Sequence, residues 1–235
     1  MTQKYINSLR GLALALVVAT ATGLAPNNAK ADARFQKWIA DFYQTAAQSG
    51  ISKATYQKAF SGVSEPDPTV LEKATYQPEF TSKIWDYVDS RVNPYTVEIG
   101  RKMAAKHAKT LDVIQRHFGV DKSILLAIWS MESNYGAVLA KDERLHYVPR
   151  ALATLAYADP KRAKFAKKQL IAALKILQNG DVPAKEMTGS WAGAMGHTQF
   201  IPTSYLSMQW TLTAMAIATS GIPCPMRLQP RPISS

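Results

Sequence analysis

The stretch of sequence that decides the fold is Asp121–Gly136, DKSILLAIWSMESNYG. Asp121 is a typical N-cap, because its carboxylate can accept hydrogen bonds from the free N–H groups of a helix's first turn. Apolar residues follow at helical spacing, and the stripe through Leu125 and Ile128 reaches Glu132 one turn later. The pattern therefore predicts a helix that carries an acid where a core residue would be expected.

The position of Glu132 beside Ile128 and Trp129 predicts a partly desolvated carboxyl group. Desolvation favours the protonated form of a carboxyl group, and this is the form that a general acid needs. The other interpretation is a glutamate that reaches solvent where the helix ends. The spacing alone leaves both interpretations open.

A second unusual stretch is GSWAGAMG at 189–196, followed by HTQFIPTSY at 197–205. Its glycines allow backbone to pass close to another group. Small residues mixed with glutamine and aromatic residues suit a sugar-binding groove. A generic glycine-rich turn has a similar composition.

These two stretches together carry a family resemblance. ESNYG at 132–136 and residues 189–205 closely resemble the catalytic motifs of the membrane-bound lytic transglycosylase B family and its soluble relatives. RALATLAYADPKRAKF at 150–165 also resembles this family, and the similarity extends over about residues 33–207. It implies a mostly α, lysozyme-like catalytic domain over residues 32–207 that acts on peptidoglycan glycan strands.

The resemblance also implies a mechanism. The family cleaves the bond between N-acetylmuramic acid and N-acetylglucosamine without water. Glu132 matches the residue that first protonates the glycosidic oxygen and then accepts the proton of the muramyl C6 hydroxyl, which closes a 1,6-anhydro ring. One carboxyl group suffices because the nucleophile is intramolecular, unlike in glycosidases with two carboxylates.

The family pattern further assigns substrate contacts. Lys161 stands where relatives carry a second arginine, and lysine lacks the bidentate fork. Tyr87 is matched without a strong motif. The residues expected to contact substrate are Ser190, Gln199, Arg162, Tyr87 and Tyr135. The lysines near Arg162 are interpreted as a solvated face: Lys161, Lys164, Lys167 and Lys168. The histidines have no metal-ligand spacing and are interpreted as structural or exposed: His107, His117, His146 and His197.

Helical spacing and capping residues predict the element order. No β-ribbon is expected within residues 32–187. The predicted helices are 33–48, 52–60, 81–91, one from Asn93-Pro94 to about Phe118 before Gly119, the helix after Asp121, and one from Asp159-Pro160 to about Gln178 before Gly180.

The N-terminal segment, residues 1–31, has the features of a cleavable signal peptide. Lys4 and Arg10 precede an apolar run at 12–19, and Ala29-Lys30-Ala31 is an A-x-A site. We therefore expect a periplasmic protein; the alternative is a short membrane anchor.

The net charge of +11 favours an anionic partner, wall polymer or a membrane surface rather than nucleic acid outside the cytoplasm. Cys224 is the only cysteine of the sequence, so no intrachain disulfide can form.

Residues 208–235 do not resemble the family. Relatives continue with a D-x-D-G-D-G loop that can bind calcium, and this sequence lacks that loop, so we expect no cofactor. A codon assignment exists in which the same bases, read in a shifted frame, encode such a loop. We therefore expect a frameshift product, and a catalytic domain that is incomplete at its C-terminus and lacks one groove wall.

Two other functions remain open. A muramidase of the goose-lysozyme kind would use water and a second acid, for which Asp142, Glu143, Asp181 and Glu186 are the candidates. An incomplete groove would instead leave an inactive glycan-binding protein. We expect a monomer with peripheral contacts to the membrane or to wall enzymes.

Overall fold

The computed structural model describes residues 27–75, 83–141 and 144–209. These ranges are mostly helical, which confirms the predicted fold class. The helices are α1 Asn27–Gln48, α2 Lys53–Ala59, α3 Pro68–Thr75, α4 Ile84–Arg91, α5 Pro94–Lys106, α6 Ala108–Phe118, α7 Lys122–Ser133, α8 Val148–Ala158, α9 Ala163–Asn179 and α10 at 202–209. Short 3-10 helices cover Ala137–Ala140 and Ala184–Glu186.

Two of the predicted segments fall wholly or mainly outside these ranges. Residues 1–26 of the expected signal peptide and residues 210–235 of the expected tail lie outside the described residues. Within the described ranges, no helix combines the length and the apolar character that a membrane span needs.

The main core forms where α8 and α9 pack together, with α1, α2 and α3 around them. Phe35, Ile39 and Phe42 of α1 are buried, as their spacing predicts, and they lie in one cluster with Leu152 of α8 and Leu170 of α9. Full burial of such a side chain stabilises the fold by roughly 1.5–3 kcal/mol relative to exposure. This cluster holds the framework on which the loop at 189–200 is built.

The predicted cap at Asn93 is confirmed. Its side chain accepts from the N–H of Thr96 at 3.1 Å, the Thr96 hydroxyl accepts from the N–H of Asn93 at 3.1 Å, and Pro94 opens α5. The single helix expected to run to Phe118 is wrong, because the chain leaves helical geometry at His107 (φ −110°, ψ 17°). The break lets both α5 and α6 pack against α7.

The expected helix start at Asp159-Pro160 is also wrong. Asp159 follows the end of α8, and its carboxylate accepts from the N–H groups of Lys161 and Arg162 at 3.0 and 3.1 Å. These bonds close a turn, and α9 begins after it at Ala163. The cap-plus-proline signal therefore marks a turn that the side chain of Asp159 stabilises, and the helix predicted to start there begins three residues later.

A small β-ribbon has one strand inside residues 32–187, where no ribbon was expected, and its partner strand just beyond residue 187. Strand β1, His146–Tyr147, pairs antiparallel with β2, Thr188–Gly189, with His146 opposite Gly189. Two-residue strands show no alternation that a sequence pattern could reveal. The ribbon places β1 directly beside the start of the second motif.

Helices α5, α6 and α7 pack on one another and form a second, thinner group. Ile84 and Trp85 of α4 are 65% and 73% exposed, and Ile124, Ile128 and Met131 of α7 are each about half exposed. The apolar stripe of α7 that was expected to face the core is therefore largely open to solvent in the described part of the chain.

Candidate active site

Glu132 lies in the last turn of α7 and is exposed. The expected desolvation of this residue is wrong, because its neighbour Ile128 is 48% exposed and no described element covers that side of α7. Among the described residues, no hydrogen bond or ion pair holds the Glu132 carboxylate. The carboxyl group is therefore free to contact a ligand.

Ser133, the residue after Glu132, is fully buried and joins the two motifs. Its hydroxyl donates to the backbone carbonyl of His197 at 2.8 Å and accepts from the N–H of Gly136 at 3.0 Å. One side chain thus fixes the end of α7, the turn that follows it, and the loop at 196–199.

The turn after α7 is strained. Asn134, Tyr135 and Gly136 all have positive φ, at 48°, 56° and 90°. Such backbone costs about 1–3 kcal/mol for a non-glycine residue and persists only where its surroundings hold it. The Tyr135 ring packs edge-on against Trp129 at 5.4 Å between centroids, and its hydroxyl lies where a side chain on Gly100 of α5 would be.

Ser190 is half-buried in a tight turn. Its N–H donates to the carbonyl of Ala194 at 2.8 Å, and its hydroxyl oxygen accepts from the N–H of Ala194 at 3.0 Å. The hydroxyl proton remains available to a carboxylate or a substrate carbonyl. Gly193 in this turn has φ +85°, and a Cβ there would lie 2.9 Å from Leu152, so a larger residue does not fit.

Gln199 lies four residues beyond Met195, in a second bend of the same loop. Its φ is +49°, and its side-chain N–H group donates to the carbonyl of Gly196 at 2.8 Å. Because this is the only side-chain hydrogen bond of Gln199 among the described residues, the second N–H and the amide oxygen keep their capacity to bind a ligand.

Arg162 reaches the second motif through an aromatic ring. Its guanidinium lies 5.6 Å from the ring centroid of Trp191 and donates to Asp159 at 2.7 Å. Burial would raise the pKa of Asp159, but the bonds from Arg162 and from the backbone outweigh it and hold that pKa below its usual range. Lys161 is exposed, which agrees with the solvated face expected for the neighbouring lysines.

Tyr87 stands apart from this group. It lies on α4, where the Arg91 guanidinium is 5.3 Å from its ring centroid. No hydrogen bond or ring contact among the described residues joins Tyr87 to Glu132 or to the loop that carries Ser190.

Sequence reasoning missed two residues of the site. The Trp129 indole N–H donates to Nδ1 of His197 at 3.0 Å, and the two rings pack edge to face at 5.6 Å. His197 is exposed, as one of its two predicted interpretations has it, but its contact with Trp129 was not predicted. Its place inside the second motif, two residues before Gln199, was the signal that could have found it.

A cleft of about 500 Å³ opens beside this loop. Its lining includes Met195, His197, Thr198 and Phe200 of the loop, together with Glu186. Of the four acids that a hydrolytic mechanism was expected to draw on, Glu186 lines the cleft, Asp181 accepts from Gln209 at 3.1 Å, and Asp142 and Glu143 lie outside the described residues.

The described ranges hold no group of three or more acidic, histidine or cysteine side chains placed to bind a metal. Since residues 210–235 are not described, the expectation that this chain needs no cofactor stays a prediction.

The comparisons with known proteins agree with this geometry. Residues 34–211 match the model of the transglycosylase SLT domain. The chain belongs to this family. Membrane-bound lytic murein transglycosylase B of Escherichia coli (strain K12) is 31% identical over 114 residues, which cover 48% of this chain and 30% of that protein.

Solved structures extend the similarity within the SLT family. SltB3 from Pseudomonas aeruginosa, in complex with NAG-NAM-pentapeptide, is 47% identical with a TM-score of 0.68 over 74% of this chain and 45% of that one. A second SltB3 structure holds NAG-anhNAM-pentapeptide. The Escherichia coli Slt35 structure in complex with calcium is 25% identical, with a TM-score of 0.58 over 74% of this chain and 53% of that one. The chain thus spans about a third to a half of the length of these relatives.

Proposed function

We propose that this SLT-domain chain is a periplasmic peptidoglycan lytic transglycosylase that cleaves between N-acetylmuramic acid and N-acetylglucosamine. The observation that carries the proposal is the joining of the two motifs, in which Ser133, next to Glu132, binds the backbone of His197. The SltB3 complexes with muropeptide ligands support the substrate class.

In the proposed reaction, Glu132 acts first as an acid and then as a base. Its carboxylic proton passes to the glycosidic oxygen as the bond from that oxygen to C1 of the muramyl sugar breaks. The resulting carboxylate accepts the proton of the muramyl C6 hydroxyl, and the C6 oxygen forms the new bond to C1. The nucleophile is held in the substrate, so proximity replaces a second carboxylate.

The other predicted residues have proposed binding roles. The Ser190 hydroxyl proton is free to contact the Glu132 carboxylate or a substrate acetamide, and Gln199 offers its amide oxygen. Arg162, held on Trp191, would contact an anionic group of the stem peptide. Tyr135 would act mainly by holding Trp129, and Tyr87 keeps only the role that the resemblance implies.

The product of sacculus digestion tests the proposal. Mass spectrometry of the soluble fragments should find 1,6-anhydro-muramyl ends, each lacking one water relative to a hydrolysed end. Reducing ends would instead favour the hydrolytic muramidase, for which Glu186 is a candidate second acid that lines the cleft beside the 195–200 loop, whereas Glu132 does not line it. Glu186→Gln should then abolish activity, whereas a transglycosylase should tolerate it.

A glycan-binding protein without activity is the third outcome. The net charge of +11 suits binding to an anionic wall polymer. Sedimentation of the chain with sacculi, without release of fragments by the wild type or by Glu132→Gln, would favour this outcome over both enzymes.

A further inference from the structure

We propose that His197 is a positioning residue that holds the loop of Gln199 against the helix end of Glu132. The inference rests on the proposed function. His197 contacts α7 in two ways, because its ring nitrogen accepts from Trp129 at 3.0 Å and its carbonyl accepts from Ser133 at 2.8 Å. Trp129 and Ser133 are one helical turn apart on one face of α7, and Glu132 is the residue directly before Ser133.

The hydrogen bond from Trp129 requires one particular tautomer of the His197 imidazole. The indole N–H of Trp129 is only a donor, so Nδ1 of His197 must carry a lone pair and no proton. An asparagine places its amide oxygen close to the position of Nδ1 and can accept the same bond. A glutamine places its amide further out, near the position of Nε2, and cannot replace it.

The surroundings keep the His197 ring in place. The ring lies directly over Gly136, where any Cβ would collide with it. Trp129 is held in turn by edge contacts with His107 at 5.4 Å and Tyr135 at 5.4 Å. The aromatic rings of His107 (between α5 and α6), Trp129 (on α7) and Tyr135 (after α7) therefore contact the second motif through the side chain of His197.

The bend that carries Gln199 is closed by the N–H of Met195, which donates to the carbonyl of Phe200 at 2.9 Å, and His197 adds the contact from this bend to α7. Gln199 has positive φ and binds only to Gly196 of its own bend, so among the described residues no side-chain hydrogen bond ties Gln199 to the rest of the fold. The ring and carbonyl of His197 set where that bend lies relative to Glu132. Without the ring contact, Gln199 and Glu132 are both still present, but the distance between them should be poorly defined.

The test uses the full chain and a soluble glycan of two NAG-NAM-pentapeptide repeats. His197→Ala should lower kcat roughly 10- to 100-fold, the range expected when a reacting group moves by about 1 Å. His197→Asn should restore most of kcat, and His197→Gln should not. Trp129→Phe combined with His197→Ala should lose no more than His197→Ala alone, because both remove the same hydrogen bond.

The outcomes separate this role from a purely structural one and from failure of the proposed function. Equal kcat values for His197→Asn and His197→Gln would overturn the inference. A loss of activity no larger than the loss of folded protein, measured by circular dichroism, would also overturn it. If His197→Ala does not fold, the comparison of Asn with Gln still decides. An inactive wild type would contradict the proposed function instead.

Discussion

In the described part of the chain, Glu132 lacks a partner, unlike two other acids on α6 and at the start of α7. Asp112 is bound by Lys122 at 2.9 Å, and that hydrogen bond holds the pKa of Asp112 below its usual range. Asp121 caps α7 and its pKa is lowered by its bonds to Ser123. These carboxylates stabilise local structure, whereas the Glu132 carboxylate has no such bond within the described ranges.

This contrast predicts the effect of Glu132→Gln. Because the side chain is exposed and unbound, the free energy of unfolding should change by less than about 0.5 kcal/mol. The release of fragments from sacculi should fall by at least about 100-fold, since a general acid contributes roughly that much or more. Denaturant titration and a dye-release assay would measure both, and full activity in this variant would remove Glu132 from the mechanism.

Gly136 offers a second prediction at the scale of one residue. Its φ is +90°, and a side chain would collide with His197, so Gly136→Ala should lower the free energy of unfolding by about 1–3 kcal/mol and reduce activity. Gly62→Ala is the matched control, because Gly62 has φ +78° with open space around it. Equal losses in the two variants would mean that the contact with His197 contributes nothing.

At the scale of elements, a buried polar cluster ties α3 to the ribbon that leads into the second motif. His146 of β1 lies opposite Gly189, binds Asp67 at 2.9 Å and contacts Lys73 at 3.2 Å. A lysine ammonium can only donate, so Nδ1 of His146 carries the proton given to Asp67. Thr154 accepts from the N–H of Asp67 at 2.9 Å, which adds α8 to the cluster.

This cluster predicts an acid-sensitive contribution to stability. Burial would raise the pKa of Asp67, but hydrogen bonds from His146, Thr69 and Val70 outweigh it and hold that pKa below its ordinary 3.8. A lowered carboxylate pKa in the folded state stabilises the fold above about pH 4, and this stabilisation is lost as the pH falls through the folded value.

Asp67→Asn should therefore lower the free energy of unfolding by about 1.5–3 kcal/mol at pH 7. The difference between Asp67→Asn and wild type should shrink below pH 4. Thermal melts of wild type and Asp67→Asn from pH 7 to pH 3 measure this difference in stability. A difference that stays constant with pH would mean that ionised Asp67 makes no contribution.

Among the helices and loops, features set by local chemistry could be predicted from the sequence, and features set by packing between distant segments could not. The caps at Asn93 and Asp121 and the C-terminal stop at Gly119 depend on local chemistry, and all three were predicted. The break at His107 and the pairing of Trp129 with His197 depend on packing between distant segments, which no local pattern contains. The stripe at Ile128 had the correct period, but periodicity cannot tell whether another element covers it.

At the scale of the molecule, the described part divides into a well-buried group and a group with open apolar surface. The exposed apolar side chains outside the well-buried group include Trp85 of α4 and Ile124, Ile128 and Met131 of α7. A contiguous patch of such side chains would mark an interaction site or an aggregation liability. The monomeric state, the domain boundaries and the shifted-frame tail stay predictions. The exposed apolar side chains bear on whether the chain is a monomer.

We predict that the purified chain binds an apolar dye such as ANS and associates as its concentration rises. Replacing Trp85 and Ile124 with lysine should reduce dye binding and association, because both residues are at least half exposed. Analytical ultracentrifugation and dye fluorescence measure the two effects. Val97→Lys on α5 is the control for the effect of an added charge, because Val97 is 41% exposed. Leu152 is unsuitable as a control because it is buried and its replacement would open the core. Unchanged association in the double variant would contradict the role of this surface.

The central claim is that one acid, Glu132, acts with a nucleophile from the substrate. Digestion of sacculi in water enriched in ¹⁸O tests it most directly, because only hydrolysis places a solvent oxygen at the new end. We predict anhydro-muramyl ends without ¹⁸O in the wild-type digest and no fragments from Glu132→Gln. Reducing ends that carry ¹⁸O would contradict the account and show that water is the nucleophile.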